Sequence, residues 1–184
     1  MKWFREGPPP HQTALAMIGA KTGQRVLVIG PGSGPVAAEL ALVAGLNGRV
    51  LVVDRNPAAG ATIEAAAAKA GALVEFERAS SSMLPVDPEA FDIAVLHTEL
   101  GALSPGDARL AVAEARRVLR PGGRIIVIEK APRPGLFGLI PQVGAVREPP
   151  LKPEVAIDIL KAEGFLAVRL LAESEGASYV EGRK

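Results

Sequence analysis

Five short apolar runs, spaced along the chain by helix-forming stretches, limit what it can fold into. They are "RVLVI" at 25–29, "GRVLVVD" at 48–54, "LVEF" at 73–76, "FDIAVL" at 91–96 and "RIIVIE" at 124–129. Each is too short for a helix, rich in Val and Ile, and bounded by glycine or polar residues, so each reads as a buried strand. Between them, 35–44 is helix-forming and ends at Gly45, and a second helix follows Asn56-Pro57, read as N-cap and N1, and runs to Ala70. "SPGDARLAVAEARRVL" starts a third with Ser104, Pro105 and Asp107 in capping-box spacing, closed by "RPGG". Pro153 to Glu163 is a fourth, 165–171 and 178–180 are two closing strands around Glu175-Gly176, and a short helix starts near Gln12. Alternation of this kind predicts one doubly wound α/β domain, a mostly parallel sheet with helices on both faces. Such sheets bind ligands at the carboxyl ends of their strands, near the switch point. That gathers Gly30 to Gly34, Asp54, Ser80 to Met83 and His97 to Leu100 around one crevice.

The composition removes several kinds of chemistry. The 184 residues include no cysteine and only two histidines, which rules out thiolate chemistry and disfavours a histidine metal site. The net charge is +1, so no nucleic-acid partner is expected despite the arginines at 116, 117, 120 and 124. The first residues suit no secretory signal, and no apolar run approaches a membrane span, so a soluble cytoplasmic protein is expected. Trp3 and Phe4, flanked by Lys2 and Arg5, leave open a homodimer contact, a membrane-surface contact or a loose terminus. Residues 131–150 carry Leu136, Phe137, Leu139 and Ile140 among prolines and glycines, and together with the residues up to 152 form a candidate substrate lid.

Straight after the first strand comes Gly30-x-Gly32-x-Gly34, then Pro35. A dinucleotide-binding turn would place its third glycine one residue later, so a nicotinamide cofactor fits poorly, and no P-loop lysine follows. Glycines still let a ligand press against the backbone. Asp54, 20 residues after Gly34, ends the second strand, where a carboxylate can accept from two ribose hydroxyls. The turn alone is also compatible with a tight strand-to-helix corner that holds nothing.

"VLVIGPGSG", "VLVVD", "VEFERASSSMLP", "FDIAVL" and "RVLRPGGRIIVIE" follow in the order and spacing of the class I S-adenosylmethionine-dependent methyltransferases. The resemblance covers about residues 22–130, and "GFLAVRLLAESEGASYVEG" is similar to the closing hairpin of that family. It implies a Rossmann-like seven-stranded sheet with the last strand antiparallel. It also implies S-adenosylmethionine as cofactor and S-adenosylhomocysteine as product, while the short chain and the apolar lid residues Leu136, Phe137, Leu139 and Ile140 point to a small, partly apolar acceptor. Carried over residue by residue, Gly30, Pro31, Gly32 and Gly34 would approach the methionine and ribose portions. Asp54 would hold the ribose hydroxyls, with Arg55 beside the adenosine. Ser80, Ser81 and Met83 would lie near the adenine. His97 would lie where the sulfonium end meets the acceptor, and residues 1–21 would form an N-terminal cap.

Two departures from the family stand out. The family usually has an acid two positions before the first glycine, where this chain has Val28, and often an aspartate where Ser80 stands. The residues after the fourth strand, His97, Thr98 and Glu99, lack the Asn/Asp-Pro-Pro-aromatic motif of amino-methylating relatives. His97 or Glu99 could supply a base, although methyl transfer often needs only in-line positioning. A non-catalytic nucleoside-binding or scaffold protein on the same fold is the alternative reading.

Overall fold

A computed structural model describes residues 11–30, 33–130, 151–174 and 176–184. The candidate lid at 131–150, Pro31 and Gly32, and residues 1–10 lie outside it. The described elements are α1 (Gln12–Ile18), β1 (Arg25–Ile29), α2 (Gly34–Ala44), β2 (Arg49–Asp54), α3 (Ala59–Ala70), β3 (Glu75–Arg78) and β4 (Phe91–His97). A 3-10 turn follows at Leu100–Ala102, then α4 (Pro105–Val118), β5 (Leu119–Lys130), α5 (Pro153–Ala162), β6 (Leu166–Ser174) and β7 (Ala177–Arg183).

The seven strands form one sheet in the order β3-β2-β1-β4-β5-β7-β6. β1 to β5 pair in parallel, while β7 runs antiparallel to both β5 and β6. The strand order therefore reverses between β1 and β4, as the alternating sequence pattern requires of a doubly wound sheet. Two cores cover the two faces. Leu27, Ile29, Leu51, Val53, Leu96 and Val127 face α4 and α5, while Val26, Val28, Val50, Val52, Val95 and Ile126 face α1, α2 and α3. Because side chains alternate along a strand, an unbroken apolar run is what burial on both faces demands.

Polar anchors tie the helices to this sheet. Ser104 caps α4: its Oγ accepts from the Asp107 N–H at 3.2 Å and donates to the Asp107 carboxylate at 2.7 Å. Glu181, 3% exposed on β7, takes Arg124 at 2.9 Å on one side and Arg169 on the other. Burial pushes the Glu181 carboxyl up, but the hydrogen bonds from Arg124 and Arg169 outweigh it and hold the group below its ordinary value. Arg124 also donates to the Ile18 carbonyl, which fixes the C-terminus of α1 against the sheet.

Several boundaries differ from the sequence reading: the closing strands run on to Ser174 and Arg183, and three other differences have a local cause. β3 starts at Glu75 rather than Leu73, which is exposed. β3 is an edge strand with one half-buried residue in four, so its apolar content does not mark its ends. Asn56 does not cap α3. Its Oδ1 accepts from the Ala58 N–H at 3.0 Å, in a turn that delays the helix to Ala59. "RPGG" belongs to the start of β5, where the register against β4 shifts between Phe91 and Ile93 and Gly122 adopts φ 76°.

Val28 is fully buried, with Val52 and Val95 as its partners on the two neighbouring strands. A carboxylate there would have no compensating group, so Val28→Asp should cost about 3 kcal/mol or more. Chemical denaturation should show a lower midpoint with an unchanged slope, and a midpoint like that of the wild type would contradict this packing.

Candidate functional site

The sheet positions the site through a close approach at the β1–β4 switch. Ile29 pairs with Val53 on one side and Leu96 on the other, so the next residues, Asp54, Gly30 and His97, lie at one level along the carboxyl edge. Gly30 has φ +114°, and a Cβ built on it would lie 2.4 Å from the His97 carbonyl oxygen. No residue but glycine fits, for reasons of space and of backbone conformation. Gly34 does a different job: a Cβ there would lie 3.3 Å from the Ile63 Cα, so its small size lets α2 press on α3.

At the end of β2, Asp54 accepts the Asn56 N–H on Oδ1 at 2.8 Å. Its second carboxylate oxygen takes no hydrogen bond from any described residue. Arg55 beside it is exposed. The Asp54 carbonyl accepts the Ala79 N–H at 3.2 Å, which brings the segment after β3 to the same edge. Here Ser80 and Ser82 share a hydroxyl–hydroxyl bond of 2.9 Å, and the Met83 N–H returns to the Ser80 carbonyl at 3.1 Å. Ser81 is 2% exposed and Met83 75% exposed.

Beyond β4 the chain turns sharply. Thr98 has φ 56°, an uncommon conformation for a β-branched residue, and its N–H donates to the Ile128 carbonyl at 2.6 Å. His97 before it and Glu99 after it are 4% and 5% exposed. The alternation of β4 puts His97 on the same face as Ile93 and Val95, with Thr98 Oγ1 3.5 Å from its Nδ1. Glu99 instead lies against the glycine turn, its Oε2 3.2 Å from where a Gly30 Cβ would be.

The sequence reading missed Glu129. It ends the buried alternation Ile125, Val127, Glu129 in β5, and an acid on that inward register was the available signal. Its Oε1 accepts the Leu100 N–H at 2.9 Å, and its carboxylate also accepts from Gly101 and Glu99, so it caps the 3-10 turn that carries Glu99. Burial pushes the Glu129 carboxyl up to about 7, against the lowering effect of these N–H donors and with a further push from the Glu99 charge.

The residues fit a nucleoside that carries a charged amino-acid end. Two buried hydroxyls near this edge, Ser33 Oγ after the glycine turn and Ser81 Oγ after β3, have no hydrogen-bond partner among the described residues. Asp54 offers a free carboxylate oxygen for a diol, Met83 an exposed apolar thioether, and Glu99 a buried carboxylate. Among the described residues no group of three His, Cys, Asp or Glu could hold a metal, and no helix is long and apolar enough to cross a membrane.

Glu129 has a pH-dependent effect on stability with a definite sign. Its folded-state value lies above the ordinary carboxylate value, so the unfolded chain ionises first as pH rises. Stability should therefore fall between about pH 4.5 and pH 7, by up to roughly 3 kcal/mol. Glu129→Gln should remove this slope, matching the wild type near pH 4.5 and exceeding it at pH 8. Urea titrations of both proteins across this range are the check, and parallel curves would contradict a carboxyl whose burial outweighs its N–H donors.

A family model described as a methyltransferase domain matches residues 26–123, which runs from β1 through the "RPGG" start of β5. Among curated proteins, the ubiquinone/menaquinone biosynthesis C-methyltransferase UbiE of Teredinibacter turnerae is 31% identical over 117 residues, covering 62% of this chain and 46% of that protein. The enzyme of the same name from Vibrio vulnificus is 32% identical over 113 residues, covering 60% and 43%. The chain thus spans about half the length of the curated relatives it matches. Among solved structures, a SAM-dependent methyltransferase from Aquifex aeolicus superposes with a TM-score of 0.76 at 20% identity, covering 95% of this chain and 89% of that one. The [4+2]-cyclase SpnF superposes with 0.70 at 18% identity, covering 94% and 78%, so the fold by itself does not dictate methyl transfer. The match to the methyltransferase model covers more than half of the chain and includes both the glycine turn and Asp54, and on that ground the chain belongs to the class I S-adenosylmethionine-dependent methyltransferase family.

Proposed function

We propose that this chain transfers a methyl group from S-adenosylmethionine to a carbon of a small, partly apolar ring acceptor of the quinone type. The observation that carries the reading is the grouping of Gly30, Asp54 and the His97–Glu99 corner at one level of the carboxyl edge. The choice of a carbon acceptor is supported by the similarity to quinone C-methyltransferases, and the apolar acceptor by Leu136, Phe137, Leu139 and Ile140 in the sequence.

The cofactor supplies an electrophilic methyl on a sulfonium. In this reading the turn from Gly30 through Pro31 and Gly32 to Gly34 lies along its methionine and ribose portions. The free oxygen of Asp54 accepts from the ribose diol, Ser80 and Ser81 bond the adenine edge, Met83 covers its face and Arg55 lies beside the adenosine. An acceptor carbon that took this methyl with its own electron pair would have to lose a proton, the pair of the carbon–sulfur bond remaining on sulfur. His97 is assigned that proton. The working protein is taken as cytoplasmic, with a small-molecule substrate, without a nucleic-acid partner, and with homodimer formation left to sizing measurements. The direct test is incubation with methyl-labelled cofactor and a panel of quinol, phenol and amine acceptors. Label in the quinol alone supports the reading, and label only in amines or phenols overturns the choice of acceptor.

Two substitutions probe the cofactor residues. Asp54→Ala should weaken binding of S-adenosylhomocysteine at least about tenfold, the loss expected when a charge-assisted hydrogen bond goes. Asp54→Asn keeps an acceptor for the Asn56 N–H and should fold like the wild type while still losing affinity. Calorimetric titration reads both, and unchanged affinity in a folded Asp54→Ala protein would remove Asp54 from the site. Ser80→Asp adds an acceptor at a half-buried turn and should tighten cofactor binding with little effect on melting. Weaker binding would mean that the Ser80 hydroxyl already makes the contact.

A further inference from the structure

We propose that Glu99 is a cofactor-binding residue, the carboxylate that pairs with the α-ammonium group of the cofactor's methionine end, and not the base that serves the acceptor. The inference rests on the reading of the glycine turn as the cofactor site and goes beyond it by assigning the counter-charge.

Three observations carry it. Glu99 is 5% exposed, and no described residue gives its carboxylate a hydrogen bond or an ion pair. A carboxylate on a buried residue with no described cation beside it favours a ligand that brings one. The carboxylate also points at the glycine turn: Oε2 and Cβ of Glu99 each lie 3.2 Å from the position of a Gly30 Cβ. A ligand seated against Gly30 would lie beside this carboxylate. Finally, β1 supplies no acid of its own, because position 28 is a valine sealed between Val52 and Val95. A zwitterionic methionine end brings a positive ammonium that needs a negative partner, and Glu99 is the carboxylate that the structure sets against Gly30.

The architecture around Glu99 fits a held, oriented charge. Thr98 bends the backbone through the left-handed region directly before it, and Glu129 caps the 3-10 turn directly after it. The backbone is thus held on both sides of Glu99. Preorganised charge of this kind binds its counter-ion without paying for reordering on association.

The test uses two ligands that share a nucleoside and a thioether. S-adenosylhomocysteine carries the ammonium, and 5′-methylthioadenosine lacks the amino-acid end altogether. Glu99→Gln keeps the shape and removes the charge. Calorimetric titration should show S-adenosylhomocysteine weakened about tenfold or more by the substitution, with 5′-methylthioadenosine held within about twofold. Melting of the ligand-free proteins should show Glu99→Gln at least as stable as the wild type, because an uncompensated charge has gone. An equal loss for both ligands would overturn the proposal, since it would report a general distortion of the site. Unchanged affinity for S-adenosylhomocysteine would overturn it directly. A wild-type protein that binds 5′-methylthioadenosine but not S-adenosylhomocysteine refutes the proposal and leaves the nucleoside site standing. A wild type that binds neither ligand refutes the cofactor reading itself.

Discussion

Everything at the carboxyl edge depends on one steric fact, the approach of the β1 end to the β4 end. The His97 carbonyl comes so near Gly30 that a Cβ would sit 2.4 Å from it. That closeness lets β1 stay paired with β4 up to its last residue, Ile29 against Leu96, where the strand order reverses and a crevice opens. It also brings the corner after β4 against the end of β1, so that Glu99 lies against Gly30. A side chain at position 30 would push the two ends apart and separate the parts of the site that lie on either side of the switch.

Three buried glutamates show how context sets the meaning of one residue type. Glu181 lies between Arg124 and Arg169, and its carboxyl is held below the ordinary value. Glu129 meets only backbone N–H groups and a second acid, and burial pushes it up to about 7. Glu99 meets no cation among the described residues. The first is a structural tie that stabilises the seat of α1. The other two lie at the carboxyl edge, and there Glu129 carries a burial cost of the kind that tends to collect at functional positions.

Much of the architecture was legible. The β-branched runs of β1, β2, β4 and β5 were found at their places, because a strand buried on both faces has to be apolar at every position. The Ser104 cap of α4 was legible for a local reason: its partner lies three residues on, within the same turn. Where the burial is one-sided or the contact distant, the reading slipped. β3 was placed two residues early because the apolar pair at Leu73 and Val74 attracted the assignment, while the true edge strand is mostly charged. The 3-10 turn after β4 has no local signal for its cap, because the acceptor of its first N–H groups is Glu129, 29 residues away from Leu100.

The order of strands and helices, the glycine turn, the carboxylate at Asp54 and the likeness to the methyltransferases are properties of the sequence alone, since each rests on local pattern and spacing. The tertiary structure decided which of the glycines is sterically obligatory against another strand, and which instead seats one helix on another. It also set the partners of the acids. Glu99 and Glu129 are 30 positions apart in the chain, and nothing in either segment announces the other. They meet because parallel pairing of β4 with β5 ends both strands at the same edge, and a charge is defined by what the fold places beside it.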